Sequence, residues 1–145
     1  MSPPYALAPP PNGWSFHHLG YATRSIANEL PHFAGLGYAT AGPAIDDPRQ
    51  GVTVQFLQGL GPRIELVQPL AGSTLLDPWL AAGIRLYHAA YEVPAFDEAL
   101  QWAREQRARL VVPPVAASAF GSRTIAFVML RNGFLVEFIA HEACP

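Results

Sequence analysis

Cysteine and charge are both scarce in this chain of 145 residues. The single cysteine, Cys144, excludes an internal disulfide and a cysteine-based zinc site, and it fits a reducing compartment. Charged residues make up 14% of the chain, against roughly 25% in a typical soluble domain. The formal net charge is only -2, so the chain lacks the basic surface that attracts nucleic acid or anionic membranes.

Long apolar runs are also missing. None approaches the roughly 18 residues of a membrane-spanning helix, and the N-terminus lacks the charged and apolar regions of a signal peptide. We therefore expect a cytoplasmic protein. Half of the residues are nevertheless hydrophobic, which is enough to build the core of one domain and leaves apolar surface that a homodimer could cover.

Hydrophobic periodicity and turn residues predict the same order of elements twice. The first set is a strand, a helix and three strands, at residues 16–22, 25–35, 38–43, 52–57 and 63–68. The second set has the same order, at residues 84–93, 95–106, 109–112, 123–130 and 134–140. Pro113 and Pro114 are expected to end their strand, and the small residues at 116–122 to form a loop. The predicted fold class is α+β, with two tandem βαβββ modules whose sheets curl around a shared cleft.

The composition changes outside these modules. Prolines are dense near the N-terminus, which predicts an extended arm because proline lacks a backbone donor. The predicted divisions are an arm, module one, a connector, module two and a tail, at residues 1–14, 15–70, 71–83, 84–140 and 141–145. The two modules together form one domain.

Four residues occupy matching places in the two modules. His18 lies in the first strand of module one and Glu65 in its last strand, 47 positions later; His88 and Glu137 do the same in module two, 49 positions apart. An unpaired carboxylate inside an apolar strand costs on the order of tens of kcal/mol, and a cation would compensate both glutamates. The pattern therefore predicts that all four side chains converge on a metal ion.

The predicted ligands are nitrogen and oxygen atoms, which suit Zn²⁺, Ni²⁺, Co²⁺, Mn²⁺ or Fe²⁺ rather than a metal that selects thiolates. Alternation along the first strand places His17 on the opposite face from His18. His17 is therefore expected to have no part in the site. The same holds for His32 and His141, which have no counterpart in the repeat.

Five short motifs, in order, resemble the vicinal oxygen chelate superfamily, which includes glyoxalase I, extradiol dioxygenases, fosfomycin and bleomycin resistance proteins, and methylmalonyl-CoA epimerase. The resemblance extends over about residues 15–140 and is greatest to the epimerases. The motifs are His18-Leu19-Gly20-Tyr21-Ala22, Gln50-Gly51-Val52, Ile64-Glu65-Leu66-Val67-Gln68-Pro69-Leu70, His88-Ala89-Ala90-Tyr91-Glu92-Val93 and Leu135-Val136-Glu137-Phe138.

This resemblance implies a cup-shaped sheet around one divalent metal, with the ligand role carried over onto His18, Glu65, His88 and Glu137. In the epimerases of the family the metal binds two substrate oxygens and stabilises an enolate made next to a thioester. The resemblance thus implies an isomerase or epimerase that acts on a small carbonyl or acyl-thioester substrate, such as a CoA ester.

The chain departs from the epimerase pattern at two places. Val54 stands where epimerases keep a glutamate that is thought to act as a base, and residues 128–132 lack a His-Pro-Lys segment. Glu137 or Glu65 is then the expected proton carrier, as ligand carboxylates are thought to be in glyoxalase I, and Glu137 is preferred. The alternatives are a glyoxalase-type lyase and a non-catalytic, resistance-type binding protein.

Three further polar residues are candidates for substrate contact. Gln55 and Gln68 could orient a substrate, and Arg123 could bind an anionic substrate group. Each of the three could equally be a surface residue.

Overall fold

The computed structural model describes residues 11–141. Most of the predicted arm, up to residue 10, and the tail from residue 142 lie outside the described residues. Within 11–141 the chain forms one curved, open sheet of nine strands with few helices. This mixed arrangement confirms the predicted fold class.

The predicted order of elements repeats, except that the first half has one further short strand, at residues 45–47, which the sequence does not predict. The first half contains β1 (Ser15–Ala22), α1 (Ile26–Gly35), β2 (Ala39–Thr40), β3 (Ile45–Asp47), β4 (Val52–Gln58) and β5 (Ile64–Pro69). A short helix, α2 (Asp77–Ala82), leads to the second half. That half contains β6 (Leu86–Val93), α3 (Phe96–Glu105), β7 (Arg109–Ala117), a 3₁₀ turn (Ser118–Phe120), β8 (Arg123–Met129) and β9 (Leu135–Ala140).

The two halves join through their first strands. The strand order is β2-β4-β5-β1-β6-β9-β8-β7, with β3 paired to β4 at one edge. In each half the first strand runs parallel to the last, as β1 does beside β5 and β6 beside β9, whereas β1 and β6 are antiparallel. The four strands that carry the predicted ligands are therefore neighbours at the centre of the sheet.

The helices explain which way the two glutamates face. Helix α1 covers an apolar cluster that includes Ile64 and Leu66, the neighbours of Glu65. Helix α3 covers a cluster that includes the neighbours of Glu137, namely Val136 and Phe138. Because side chains alternate along a strand, both glutamates face away from the helices.

No helix within residues 11–141 is long and apolar enough to cross a membrane.

Both helices begin close to where the sequence predicts. Ser25 is the N-cap of α1, and its Oγ accepts a hydrogen bond of 3.2 Å from the Asn28 N–H. Pro31 lies inside the helix without ending it. Trp14, which the sequence places in the arm, packs edge to face against Trp102 of α3, with ring centroids 5.1 Å apart. The last residue of the predicted arm is thus part of the core around α3.

The predicted end of a strand at residue 112 is wrong. Pro113 and Pro114 lie inside β7, which continues to Ala117. Strand β7 is at the edge of the sheet, and its register with β8 shifts between Val112 and Val115. Proline is tolerated at an edge or at a bulge, because no ladder hydrogen bond is required of it there.

Candidate metal centre

The centre of the sheet holds Glu65 and His88 on either side of a glycine. Gly20 of β1 pairs with Glu65 of β5 and with His88 of β6. A Cβ atom on residue 20 would overlap the His88 imidazole ring, which occupies that space. The glycine therefore allows the His88 ring to lie across β1. Gly20 belongs to one of the five sequence motifs, but the sequence alone did not predict this role for it.

A second row of paired residues, two positions away, crosses β1, β6 and β9. Ala90 of β6 pairs with His18 of β1 and with Glu137 of β9. A small residue again separates the two ligands. Each row combines one residue of the first half with one of the second half, so the four predicted ligands meet within a single chain.

The four side chains converge closely. Each is 5% exposed or less, and each offers a ligand atom within 4.8 Å of the other three. His18 Nε2 lies 3.1 Å from His88 Nε2, and Glu137 Oε1 lies 3.2 Å from both nitrogens. Glu65 Oε1 is 3.4 Å from His18 Nε2 and 3.7 Å from His88 Nε2. Ligands about 2.1 Å from one ion are about 3.0 Å apart in octahedral and about 3.4 Å apart in tetrahedral geometry, which these separations match.

Unsatisfied polar atoms also favour an ion here. Glu137 Oε1 is buried and forms no hydrogen bond of good geometry among the described residues, although two imidazole nitrogens are near. Such an atom costs about 1–3 kcal/mol, and a cation between the four side chains would remove that cost. Two carboxylates would also balance the charge of a divalent ion. The residues present therefore fit a divalent metal that prefers nitrogen and oxygen ligands.

The electrostatics of the site favour positive charge at its centre. Burial opposes protonation of His18, but the carboxylates of Glu65 and Glu137 outweigh it and raise the pKa of His18 to about 9. Burial would likewise raise the pKa of Glu137, but the imidazoles of His18 and His88 lower it to about 2. The site thus holds ionised carboxylate beside nitrogen atoms that attract a proton or another cation.

A β-bulge precedes the first histidine ligand. Phe16 pairs with Tyr91 and His18 pairs with Ala90, so His17 is an extra residue on β1. A bulge breaks the alternation of side chains. His17 consequently lies against His18, and the prediction that the two histidines face opposite sides of the strand is wrong.

His17 contacts the second nitrogen of a predicted ligand. Its Nδ1 lies 2.8 Å from His18 Nδ1, and Arg63 Nη1 donates a hydrogen bond of 2.6 Å to His17 Nε2. Burial, followed by the charges of His18 and Arg63, lowers the pKa of His17 to about 4, so it is neutral near neutral pH. His17 thus packs against the second nitrogen of His18, the atom through which metal-binding histidines are commonly oriented. The adjacent pair His17-His18 was the only local signal.

A mostly apolar cavity opens beside the four side chains. Glu65 and Glu137 line this cavity, and so does Val54, the residue at which the sequence departs from the epimerase pattern. Trp79 of α2 lines it from the connector. A small molecule in the cavity would reach both glutamates and would meet a methyl group at Val54.

The two predicted glutamine contacts have structural partners. Gln55 Nε2 donates a hydrogen bond of 3.0 Å to the Gly42 carbonyl oxygen. Gln68 Oε1 accepts one of 2.8 Å from the Ile26 N–H, at the start of α1. Neither side chain belongs to the described lining of the cavity. Their contact with substrate stays a prediction.

Arg123 also has partners within the chain. Its Nη1 donates hydrogen bonds to Glu92 Oε2 at 3.0 Å and to the Ala140 carbonyl oxygen at 3.1 Å. Burial would raise the pKa of Glu92, but the Arg123 guanidinium holds it below its usual value. Arg123 is likewise outside the described lining of the cavity, and its role with an anionic substrate stays a prediction.

Asp47 also lines the cavity, and the sequence did not predict a role for it. It is 1% exposed, and its Oδ2 accepts hydrogen bonds of 2.9 Å from the Ser118 N–H and from Gln50 Nε2. Ser118 belongs to the other half of the fold, 71 positions along the chain. The local pattern around Asp47 indicated only a turn, and no local pattern reports a partner so distant.

Comparisons with known proteins identify the family and the fold of the chain. A family model described as Glyoxalase/Bleomycin resistance protein/Dioxygenase superfamily matches residues 17–140. No significant match was found among curated proteins. A solved structure of a hypothetical protein from Bacillus halodurans has a TM-score of 0.78 and 27% identity, over 92% of this chain and 99% of that chain.

Methylmalonyl-CoA epimerases are also among the similar structures. The enzyme from Mycobacterium tuberculosis has a TM-score of 0.72 and 21% identity, with 88% of each chain covered. A variant of the Streptomyces coelicolor enzyme, in complex with 2-nitronate-propionyl-CoA, has a TM-score of 0.73 and 18% identity, with 88% of this chain and 97% of that chain covered. At these identities the likeness concerns the fold. Together with the family match, it shows that the chain belongs to the glyoxalase/bleomycin resistance protein/dioxygenase superfamily.

Proposed function

We propose that this protein is a divalent-metal-dependent enzyme of the isomerase or epimerase type, acting on a carbonyl or acyl-thioester substrate. The observation that carries the proposal is the meeting of four buried ligand atoms within 4.8 Å of one another, beside a cavity that two of the ligand residues line. Similar structures of methylmalonyl-CoA epimerase hold acyl-CoA compounds, which supports a thioester as the first substrate class to test.

His18, Glu65, His88 and Glu137 would hold the ion, which could be Zn²⁺, Ni²⁺, Co²⁺, Mn²⁺ or Fe²⁺. A bound divalent cation supplies a Lewis acid, which stabilises negative charge that develops on a carbonyl oxygen. His17 would keep the His18 ring in place, and Gly20 would keep space for the His88 ring. The apolar wall would exclude water from the reacting group.

Glu137 is the proposed proton carrier, with Glu65 as the second candidate. Both line the cavity, whereas the wall at Val54 offers no group that can accept a proton. Glu137 Oε1 makes no hydrogen bond of good geometry among the described residues, so it has a lone pair to use. A carboxylate within reach of the carbon next to a carbonyl can remove its proton and return it.

Metal analysis followed by solvent exchange tests the proposal. The purified protein should contain a divalent metal, and His88→Ala should lose it. In D₂O the wild type should place deuterium next to the carbonyl of an acyl-CoA thioester, as measured by mass spectrometry. Glu137→Gln should abolish exchange, and Glu65→Gln should do so if Glu65 is the carrier instead. A metal-free wild type whose properties are unchanged by His88→Ala would contradict the proposal.

Val54 favours a second candidate function, a lyase of the glyoxalase type. Such an enzyme would use only ligand carboxylates for proton transfer and would need no base at position 54. Metal content without exchange into any thioester would point to this lyase, or to a non-catalytic binding protein. A homodimer and a cytoplasmic location also belong to this proposal, and they are tested by light scattering and by cell fractionation.

A further inference from the structure

A second β-bulge turns Tyr87 toward the cavity. Gly20 pairs with His88, whereas the next residue, Tyr21, pairs with Leu86, so Tyr87 is an extra residue on β6. It precedes His88 just as His17 precedes His18. Its ring meets the His88 ring edge on, with centroids 4.4 Å apart. The bulge therefore places both side chains on the cavity side of the sheet, since alternation is broken there.

The Tyr87 hydroxyl is available to a bound molecule. Among the described residues that line the cavity, Tyr87 supplies the only hydroxyl group, and none of the side-chain hydrogen bonds within residues 11–141 uses it. A tyrosine hydroxyl can donate a hydrogen bond to such a molecule.

The charges around the cavity disfavour an additional anion. The described lining includes the carboxylates of Asp47, Glu65 and Glu137, and it includes no lysine, arginine or histidine. A divalent ion would be balanced by the two glutamates alone. A further carboxylate on the reacting part of a substrate would then be buried against an apolar wall without a charge partner, which is costly.

We propose that Tyr87 is a substrate-binding residue whose hydroxyl donates a hydrogen bond to an uncharged oxygen of an apolar carbonyl compound. The substrate class is thus a neutral ketone or acyl group rather than one with a free carboxylate on its reacting carbon. This inference rests on the proposed function, in that the metal holds the substrate beside the glutamates. It goes further by naming the donor and the charge of the substrate.

Two probes test the proposal. Both are phenyl ketones, and they differ in the oxygen group on the carbon next to the carbonyl. The first, 2-hydroxyacetophenone, is neutral, and the second, benzoylformate, carries a carboxylate. Binding of each to Mn²⁺-loaded protein is measured by calorimetry. The neutral probe should bind more tightly, and Tyr87→Phe should weaken it about three- to tenfold, the range for a neutral hydrogen bond. Benzoylformate should bind weakly to both proteins, because its carboxylate would be buried without a charge partner.

Tyr91→Phe is the matched control, because it removes a hydroxyl from the same strand at a residue outside the described lining. Tyr91 packs instead against Trp14 and Phe16, so its variant should bind both probes like the wild type. Equal binding of the neutral probe to wild type and Tyr87→Phe overturns the proposal. So does tighter binding of benzoylformate, or no binding of the neutral probe.

The outcomes also separate this inference from the function on which it rests. If the probes behave as expected but no thioester exchanges its proton, the substrate class is supported and the proton transfer fails. If exchange occurs but Tyr87→Phe binds the neutral probe normally, the proton transfer stands and the role of Tyr87 fails.

Discussion

At the scale of single residues, the candidate site depends on small residues between the ligands. Gly20 separates Glu65 from His88, and Ala90 separates His18 from Glu137. A larger side chain at either position would compete with a ligand for the same space. Only at Gly20 does the structure show the competitor directly, because the His88 ring occupies the Cβ position.

Gly20→Ala should therefore weaken metal binding while leaving the ligands chemically intact. We expect a loss of at least about tenfold in affinity, the size of effect seen when a ligand loses its support. Calorimetric titration with Mn²⁺ measures it. Gly35→Ala at the end of α1 is the control, because a Cβ there meets nothing within 4 Å. Equal affinities in the two variants would show that His88 does not need this space.

The raised pKa of His18 predicts that metal and proton compete. Its pKa of about 9 lies above the usual value, so protonation of His18 stabilises the metal-free fold below about pH 6.5 and is lost as pH rises through 9. Metal affinity should then increase up to about tenfold per pH unit between about pH 6 and about pH 8. Glu137 is ionised throughout, since its pKa is about 2.

Calorimetry in buffers with different ionisation enthalpies measures this competition. About one proton should be released per ion bound near neutral pH. Affinity that does not change with pH, together with no proton release, would contradict the assigned environment of His18.

The four residues that converge could be found from the sequence, but their neighbours could not. The similar spacing of His18 to Glu65 and of His88 to Glu137, 47 and 49 positions, is a property of the repeat, and it survives in the fold. His17 and Tyr87 were missed because the rule of alternation assumes regular strands. Their bulges arise from the register between β1 and β6, which is set by pairing of distant segments and leaves no local pattern.

At the scale of elements, strands and helices followed the sequence closely because hydrophobic periodicity is a local property. One exception is β3, which the sequence did not predict, and another is β7, in which two prolines suggested an end. They are accommodated because β7 lies at an edge and shifts register there. The contact between β3 and the 3₁₀ turn is another feature without a local signal, since it depends on the Asp47 carboxylate and the Ser118 N–H.

Asp47→Asn should destabilise the fold by about 2 kcal/mol. The amide nitrogen of asparagine would face N–H donors whose hydrogen bonds the Asp47 carboxylate now accepts. Asp46→Asn is the matched control at the neighbouring, exposed position, where the partner is the Thr53 hydroxyl. It should cost less than about 0.5 kcal/mol. Urea unfolding of both variants measures the difference. Equal costs would mean that Asp47 does not hold the rim together.

At the scale of the whole molecule, each half of the fold supplies one histidine and one glutamate. A metal ion would therefore join the two halves, and the folded chain should bind it far better than the unfolded chain. At a concentration of metal about 100 times its dissociation constant, the stabilisation should be about 2.7 kcal/mol. Thermal unfolding with Mn²⁺ and with EDTA measures this shift.

The matched control for that measurement is Glu137→Gln, which keeps the size of the side chain and removes its charge. The variant should lose most of the metal-induced shift in Tm. A shift that is equal in wild type and variant would mean that the metal stabilises the chain at another place.

Anomalous diffraction at the absorption edge of the bound metal, from crystals of the purified protein, would show whether the four side chains hold the ion. We expect one strong peak per chain, about 2.0–2.2 Å from His18 Nε2, His88 Nε2 and one carboxylate oxygen each of Glu65 and Glu137. A peak elsewhere, or a site between these four side chains without anomalous signal in metal-soaked crystals, would contradict it.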